Sequence, residues 1–392
     1  MPPEQWGNAV IRIASYNVEN LFARPKAFDG SDWTIGEPIL DAYREVNALF
    51  QNSNYAPTDR SRMRDLLLTL DIYSRNTHGA IRRKRSTNPR WAWLRKNRGS
   101  FDRQPNDRTQ DVEIIASGRA SWIGWVELSK EPTNEISTRL TARVIDDVDA
   151  DIIGVVEAED RPSLVRFNRE MLNGDYEHIM LIDGNDERGI DVGIMTRAGF
   201  TIEHIRSNVD RQDNVGEVFS RDCPQYEVRT PNGEIIQILV NHFKSQSGGG
   251  GSKRLRQATA VREIANELTN DGQNVVVLGD LNEGPPNEQS HVVNFAPLYE
   301  NQSPLIDCYS MQDFDVGARA GTFNSCGIRN RLDYIFISAS LENAFSAGGI
   351  FRAGLWGSRI TRPDAWDTYP EMNRSEEQAS DHAAVFVDLD LS

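Results

Sequence analysis

The chain has 392 residues and carries 43 Lys and Arg against 58 Asp and Glu, a net charge of −15. That length can bury a core for one large domain or two ordinary ones, and 39% apolar with 26% charged residues is an ordinary globular composition. No apolar run reaches the roughly eighteen residues a transmembrane helix needs, and the acidic average argues against a protein that coats itself in nucleic acid.

Val10–Val18 (VIRIASYNV) alternates Val10, Arg12, Ala14 and Tyr16 against Ile11, Ile13 and Ser15, which predicts a first strand. From about Ala23 to about Lys130 the pattern changes. Met63, Leu66, Leu67 and Leu70 share a helical face, but Pro, Asn and Arg interrupt the apolar spacing, so residues 24–130 read as a long insertion. After it, Glu135–Val148 places Ile136, Leu140, Val144 and Val148 at helical spacing. Ile152–Val156 is then a short, wholly apolar run of the kind found in central buried strands. Asp191–Thr196 and Ile202–Ile205 read as strands. Tyr226–Arg229 and Ile235–Val240 flank Pro231-Asn232-Gly233, a hairpin signal in which Asn-Gly is expected to supply positive φ angles. Leu255, Ala258, Val261, Ala265 and Leu268 form a helical face, and Val275–Leu278 is a second buried strand. Leu332–Ile337 and Ala384–Leu391 close the series. Hairpins mixed with crossing helices suggest a layered α/β fold with mixed sheets. SGGGGS, Ser247–Ser252, is the single low-complexity stretch and reads as a flexible loop.

Cys223, Cys308 and Cys326 are far apart and include no CxxC pair, so at most one disulfide and no cysteine zinc site is expected. Met1–Trp6 has neither a basic flank nor an apolar core, so no secretory signal is read there, and a cytoplasmic location is the expectation.

Each predicted buried strand runs into polar residues. Asn17 and Glu19 follow the first, Glu157 follows Ile152–Val156, Asn241, His242 and Lys244 follow Ile235–Val240, and Asp280 and Asn282 follow Val275–Leu278. Ligand sites of open α/β sheets gather at such ends. Asp333 and the pair Asp381-His382 instead begin strands, and in an antiparallel neighbour a strand's start lies beside its partner's end. All six motifs can therefore share one rim. Carboxylates, amides and imidazoles without thiolates make an oxygen-rich setting suited to Mg²⁺ or Mn²⁺. HExxH, GxSxG and Walker patterns are absent.

In this order YNVENL, GVVEAE, VNHFKS, GDLNE, RLDYIF and SDHAAV closely resemble the endonuclease/exonuclease/phosphatase superfamily, over Val10–Asn20 and about Ile136–Leu391. The resemblance implies a four-layered α/β sandwich, two facing mixed sheets flanked by helices, with residues 1–392 as one catalytic domain carrying the insertion after its first strand. It also implies divalent-metal hydrolysis of phosphate esters. Carried over by motif, Glu157 binds the metal with Asn17 and Asp381 in or near its shell, and Asp280 aligns or deprotonates the attacking water. Asn282 and His242 donate to phosphoryl oxygens, and His382 sits on the phosphate, oriented by Asp333. Whether His382 or Asp280 takes the proton stays open. In DERGIDVG, Arg188 can clamp a phosphate with its planar fork, and Asp191 can hold Arg188 or a neighbour; otherwise the segment is a surface loop and strand. Lys244, Arg254 and Arg256 are left outside the catalytic set.

Ile81–Arg98 departs from the acidic average, with eight Lys or Arg, no acid, and Trp91 and Trp93 among them. Arg82, Arg83, Trp91 and Trp93 suit single-stranded nucleic acid, with cations on phosphates and aromatics under bases. A peripheral membrane contact and a solvated loop are the other readings, and Pro89 argues against a regular amphipathic helix. The expected function is a Mg²⁺- or Mn²⁺-dependent nuclease acting on DNA or RNA. The alternatives are a phosphatase or phosphodiesterase on a small or lipid phosphate, and a catalytically idle nucleic-acid-binding module. DNA against RNA, endo against exo cleavage and oligomeric state are not legible at this level.

Overall fold

The computed structural model describes residues 10–21, 23–25, 33–86, 89–132, 136–186, 188–246, 249–285, 292–300, 303–357 and 366–392. Met1–Trp6, Glu135, Thr87 and Asn88 of the basic segment, and Ser247 and Gly248 of the glycine loop lie outside them. The chain forms two compact units, one of Met1–Phe22 with Asn134–Ser392 and one of Ala23–Thr133.

The larger unit is a four-layered α/β sandwich. Its elements in chain order are β1 (Val10–Leu21), α1 (Ile136–Val148), β2 (Ile152–Ala158), α2 (Arg161–Met171), β3 (Tyr176–Ile182), β4 (Asp191–Arg197), β5 (Thr201–Arg206), β6 (Gln225–Arg229), β7 (Ile235–His242), α3 (Gly251–Asn270) and β8 (Asn274–Asp280). Then follow α4 (Val292–Tyr299), β9 (Leu305–Asp307), β10 (Phe314–Asp315), β11 (Asp333–Ser338), β12 (Phe345–Phe351) and β13 (Ala384–Asp390). One sheet has the order β3-β4-β2-β1-β13-β12-β10, the other β5-β6-β7-β8-β11-β9. Each is built around one central parallel pair, β1 with β2 and β7 with β8, and antiparallel strands adjoin both pairs.

Strand alternation sorts the core. Ile11, Ile13, Ile152, Val156, Ile236, Ile238, Val240, Val276, Leu278, Ile335 and Ile337 pack between the sheets. Ala14, Tyr16, Val18, Ile153 and Val155 face the opposite way, onto Leu140, Val144 and Val148 of α1. Leu239, Val275, Val277, Tyr334 and Phe336 likewise meet Ala258, Val261 and Ala265 of α3. Burying each large aliphatic side chain contributes about 1.5–3 kcal/mol relative to leaving it exposed, so a one-residue register slip would forfeit a whole row.

The hairpin between β6 and β7 forms as expected, but only Gly233 (φ 93°) takes a positive φ, and Asn232 does not. The turn closes through Gly233 N–H to Thr230 O and Thr230 N–H to Glu234 O. It is a three-residue loop with glycine at the left-handed position, not a two-residue one.

Residues 23–133 have their own core. Val46, Phe50, Met63, Leu66, Leu67, Ile81, Ala92, Phe101, Trp122 and Val126 are buried together, and the rings of Phe50, Phe101 and Trp122 pack mutually at 4.6–5.2 Å. The apolar face expected around Met63 belongs to a helix over Pro57–Thr69. The basic segment is extended: Ile81–Arg83 pairs with Tyr73–Arg75, and Ala92–Arg98 pairs with Ile123–Leu128. Among the described residues no helix is long and apolar enough to cross a membrane, and the three cysteines are buried and unbridged.

Candidate active site

The parity that builds the inter-sheet core also builds the site. Ile11, Ile13, Ser15 and Asn17 lie on one face of β1. Ile236, Ile238, Val240 and His242 share a face of β7, Val276, Leu278 and Asp280 one of β8, and Ile337, Ile335 and Asp333 one of β11. Each apolar row therefore ends in a polar side chain at the same edge. The register aligns them, with His242 opposite Asp280 and Asp280 opposite Asp333.

Local backbone supplies the rest. Glu157 (φ 68°) sits where the pairing of β2 with β4 shifts register, so the bulge re-aims its carboxylate. Glu19 (φ 49°) and Asn282 (φ 51°) also take the left-handed region. Such strain persists only where the surroundings impose it. Gly279 (φ 135°) precedes Asp280, and a Cβ there would meet Asn241 O at 1.9 Å. Gly279→Ala is accordingly expected to cost at least about 2 kcal/mol, read as a lowered urea midpoint. An unchanged midpoint would show that the β7–β8 contact is not tight.

Asp280 is the hub. Its Oδ2 accepts from Asn17 Nδ2 at 3.2 Å and Asn282 Nδ2 at 3.1 Å, and its Oδ1 accepts from Asn282 N–H at 2.8 Å. His242 Nε2 lies 3.6 Å and His382 Nε2 3.8 Å from Oδ2. Those gaps exceed hydrogen-bond length, so both imidazole edges remain available to a third oxygen. His242 Nε2 is also 3.6 Å from Glu157 Oε1, and His382 Nε2 3.8 Å from Asp381 Oδ1. His382 Nδ1 bonds Asp333 Oδ2 at 2.7 Å, and Thr322 donates to the same oxygen at 2.5 Å. The Phe323 ring lies against His382 at 4.9 Å. Ser380 ties the last motif to β1, donating to Asn17 O at 2.7 Å while accepting from His382 N–H at 3.0 Å. Asp381 N–H donates to Glu19 at 2.8 Å.

Electrostatics follow from this crowding. Desolvation, then the neighbouring Asp381, pushes the Glu19 carboxyl up to about 7. Burial raises Glu157, Asp280 and Asp381 as well, against the pull of His382. Burial opposes a charge on His382, but Asp333 and Asp280 outweigh it and hold the imidazolium to about 10. His242 is depressed by burial, and then by Arg221 and His382. Among the described residues the ion-pair partners of Glu157, Asp280 and Asp381 are imidazoles alone. This surplus of oxygen anions, with no thiolate, fits a hard divalent cation. Asp280, Asp333 and His382 each present a ligand atom within 4.8 Å of the others. Asp333 Oδ2 is spent on His382 and Thr322, while its Oδ1 is buried without a partner.

Asn17, Glu157, His242, Asp280, Asn282, Asp333, Asp381 and His382 are thus brought together. Arg188 stands near them, and of the two expected roles for Asp191 the structure shows contact with a neighbour of Arg188. Its guanidinium pairs with Asp186 at 2.7 Å, whereas Asp191 is buried and accepts from Gly184 N–H at 2.7 Å. Asp186 also lies 3.1 Å from Arg221, which is 2% exposed and electrostatically coupled to Glu157 and Asp280. Nothing in the spacing of Arg221, Asp186 or Thr322 pointed to these places, while Ser380 lay unremarked inside SDHAAV. Arg254 is buried and bonds Glu283 at 2.7 Å and the carbonyls of Lys244, Ser245 and Gly249, so it clamps the loops that follow β7 and β8. Arg256 pairs with Asp213.

In the smaller unit the basic candidates divide. Arg82 spends its guanidinium on the carbonyls of Pro105, Asp107 and Gln110, and Arg83 bonds Asp102 at 3.0 Å. Trp91 packs against the unit's core, while Trp93 lines an open groove.

Residues 97–348 match the model of a family described as Endonuclease/Exonuclease/phosphatase. No curated protein sequence matches the chain. Among solved structures it is similar to an endonuclease/exonuclease/phosphatase family protein of Bacteroides thetaiotaomicron, with 20% identity, 64% of this chain and 88% of that one covered, and TM-score 0.48. A mannosyl-6-phosphatase of the same organism has 20% identity, 64% and 90% coverage, and TM-score 0.48. The human nocturnin catalytic domain with bound sulfate has 16% identity, 64% and 85% coverage, and TM-score 0.46.

Proposed function

The chain belongs to the endonuclease/exonuclease/phosphatase family, a family of divalent-metal hydrolases of phosphate esters, and from that premise we propose that it is a nuclease. It cleaves DNA or RNA phosphodiesters by in-line attack of water, with Mg²⁺ or Mn²⁺ as the cation. The observation that carries this reading is the rim on which carboxylates, two imidazoles and two amides converge around Asp280 without a Lys or Arg partner among the described residues.

Glu157 and Asp381 would hold the cation, with Asn17 beside them. The chemistry a bound divalent cation supplies is polarisation of the phosphoryl oxygen and stabilisation of the leaving oxyanion. His382, kept cationic by Asp333, donates from Nε2 to a phosphoryl oxygen and neutral His242 donates beside it, while Asn282 spends its Nδ2 on Asp280 and the Phe243 carbonyl. Asp280, whose orientation Asn17 and Asn282 fix, aligns the water and accepts its proton; its raised pKa suits a base working near neutrality. Arg188, on a separate loop, reaches a further phosphate with a fork that Asp186 holds ready.

A substrate panel tests the reading: single- and double-stranded DNA, RNA, abasic DNA, and soluble and lipid phosphomonoesters. Degradation of a nucleic acid is expected with Mg²⁺ or Mn²⁺ and none with a chelator. Turnover that survives chelation would sink the metal mechanism, and turnover confined to phosphomonoesters would replace the nuclease.

A further inference from the structure

The surface of residues 23–133 carries a feature the catalytic rim does not use. This unit has nineteen Lys and Arg against fourteen Asp and Glu, a net charge of +5, whereas the rest of the chain carries −20. Arg82, Arg83, Lys84, Arg85 and Trp93 line a groove of about 720 Å³, with Asp71 as its one acidic wall residue. Lys84 pairs with Asp71 at 2.7 Å and Arg83 with Asp102 at 3.0 Å. Among the described residues the side chains of Arg85 and Arg98 have neither an ion-pair nor a hydrogen-bond partner.

Beside the groove runs the two-stranded ribbon of Ala92–Arg98 and Ile123–Leu128. Trp93 stands opposite Glu127 and Arg95 opposite Trp125. Directly opposed residues share a face, so Trp93, Arg95, Trp125 and Glu127 lie on one side. The other side carries Ala92 and Val126 into the unit's core. Trp125 is 45% exposed. Arg95 lies over the Trp93 ring at 4.8 Å and reaches Glu127 at 2.9 Å, which fixes the orientation of the cationic and aromatic groups.

We propose that this ribbon face and groove bind a single strand of nucleic acid, with Trp93 and Trp125 stacking on bases and Arg85 and Arg98 contacting phosphates. Aromatic faces accept any unstacked base, and a duplex hides its bases from them. A membrane would need an apolar face free to insert, and the ribbon's apolar face is already in the core. The inference rests on the nuclease reading only for choosing nucleic acid over other polyanions.

The test uses the full-length chain with Glu157→Gln, and anisotropy of a fluorescein-labelled mixed-sequence 20-mer DNA, single-stranded and as duplex. Single strand is expected to bind more tightly than duplex. Trp93→Ala and Trp125→Ala should each weaken it about five- to hundredfold with the salt dependence kept, and Trp125→Phe should restore most of the loss, which separates stacking from damage to the fold. Joint Arg85→Gln and Arg98→Gln should flatten the slope of log K against log salt by about 1.4. Duplex bound as tightly as single strand, binding indifferent to these residues, or capture by phosphatidylserine vesicles without oligonucleotide binding would each overturn the proposal. Wild-type turnover of bis(4-nitrophenyl) phosphate is measured separately. If it fails while strand binding behaves as stated, the catalytic reading falls and this one stands; the reverse pattern removes only this one.

Discussion

Glu157→Gln is expected to reduce hydrolysis by about a thousandfold or more while leaving the folded structure in place. The carboxylate is the acid that β2's bulge aims into the rim, and its ion-pair partner among the described residues is an imidazole, that of His242. Charge stabilisation through a bound cation is worth several kcal/mol in the transition state, and each 1.36 kcal/mol is tenfold in rate. The amide keeps size and geometry but loses the charge. In the metal-free protein, burial disfavours the Glu157 carboxylate, so the neutral amide does not destabilise the fold there. Calorimetric titration with Mn²⁺ should show weaker binding together with the lost turnover. A variant that binds Mn²⁺ as tightly as wild type, or that keeps its turnover, would move the cation away from Glu157.

Asp333→Asn is expected to lower kcat by about 10³- to 10⁴-fold, the scale known for carboxylates that orient a catalytic histidine. It should also move the alkaline limb of the pH–rate profile to lower pH. The sign follows from the neighbours of His382. Burial favours the neutral ring, and Asp333 with Asp280 holds the proton on up to about 10. A His382 that acts as a protonated donor loses activity as pH rises through that value. Removing Asp333 leaves burial less opposed, so the proton leaves earlier. The same linkage makes the Asp333–His382 pair stabilising below the unfolded histidine pKa, a contribution lost as pH rises through the folded one. A profile that keeps its alkaline limb in Asp333→Asn would show that His382 acts in another protonation state.

The strands carrying the motifs were readable because each is an apolar run with polar residues at one end, after β1, β2, β7 and β8 and at the start of β11 and β13. β1, β2, β7, β8, β11 and β13 appear within a few residues of the predicted runs. β3 (YEHIMLI) and β12 (FSAGGIF) were not read. The first begins with charged and polar residues, and the second holds two glycines where an alternating apolar row would be expected. The helix over Arg161–Met171 was passed over too. Asp160 caps it by accepting from Ser163 N–H at 2.7 Å, and Leu164 and Phe167 give it only a narrow apolar face. In 23–133, Pro and Arg broke every long apolar period. Its core is assembled from short pieces that meet only in three dimensions, as Phe50, Phe101 and Trp122 do.

Sequence alone determined the donor set of the rim, because strand parity forces Asn17, His242, Asp280 and Asp333 onto the faces that their apolar neighbours Ile13, Val240, Leu278 and Ile335 bury. Tertiary structure decided what each donor can do. Register placed Asp280 between two imidazoles, a bulge turned Glu157 inward, and Asp186 rather than Asp191 took Arg188. It also decided that Arg82 serves its own loop while Arg85 and Trp125 face outward. A periodic pattern carries which face a side chain takes; which partner it meets depends on strand pairing across hundreds of residues.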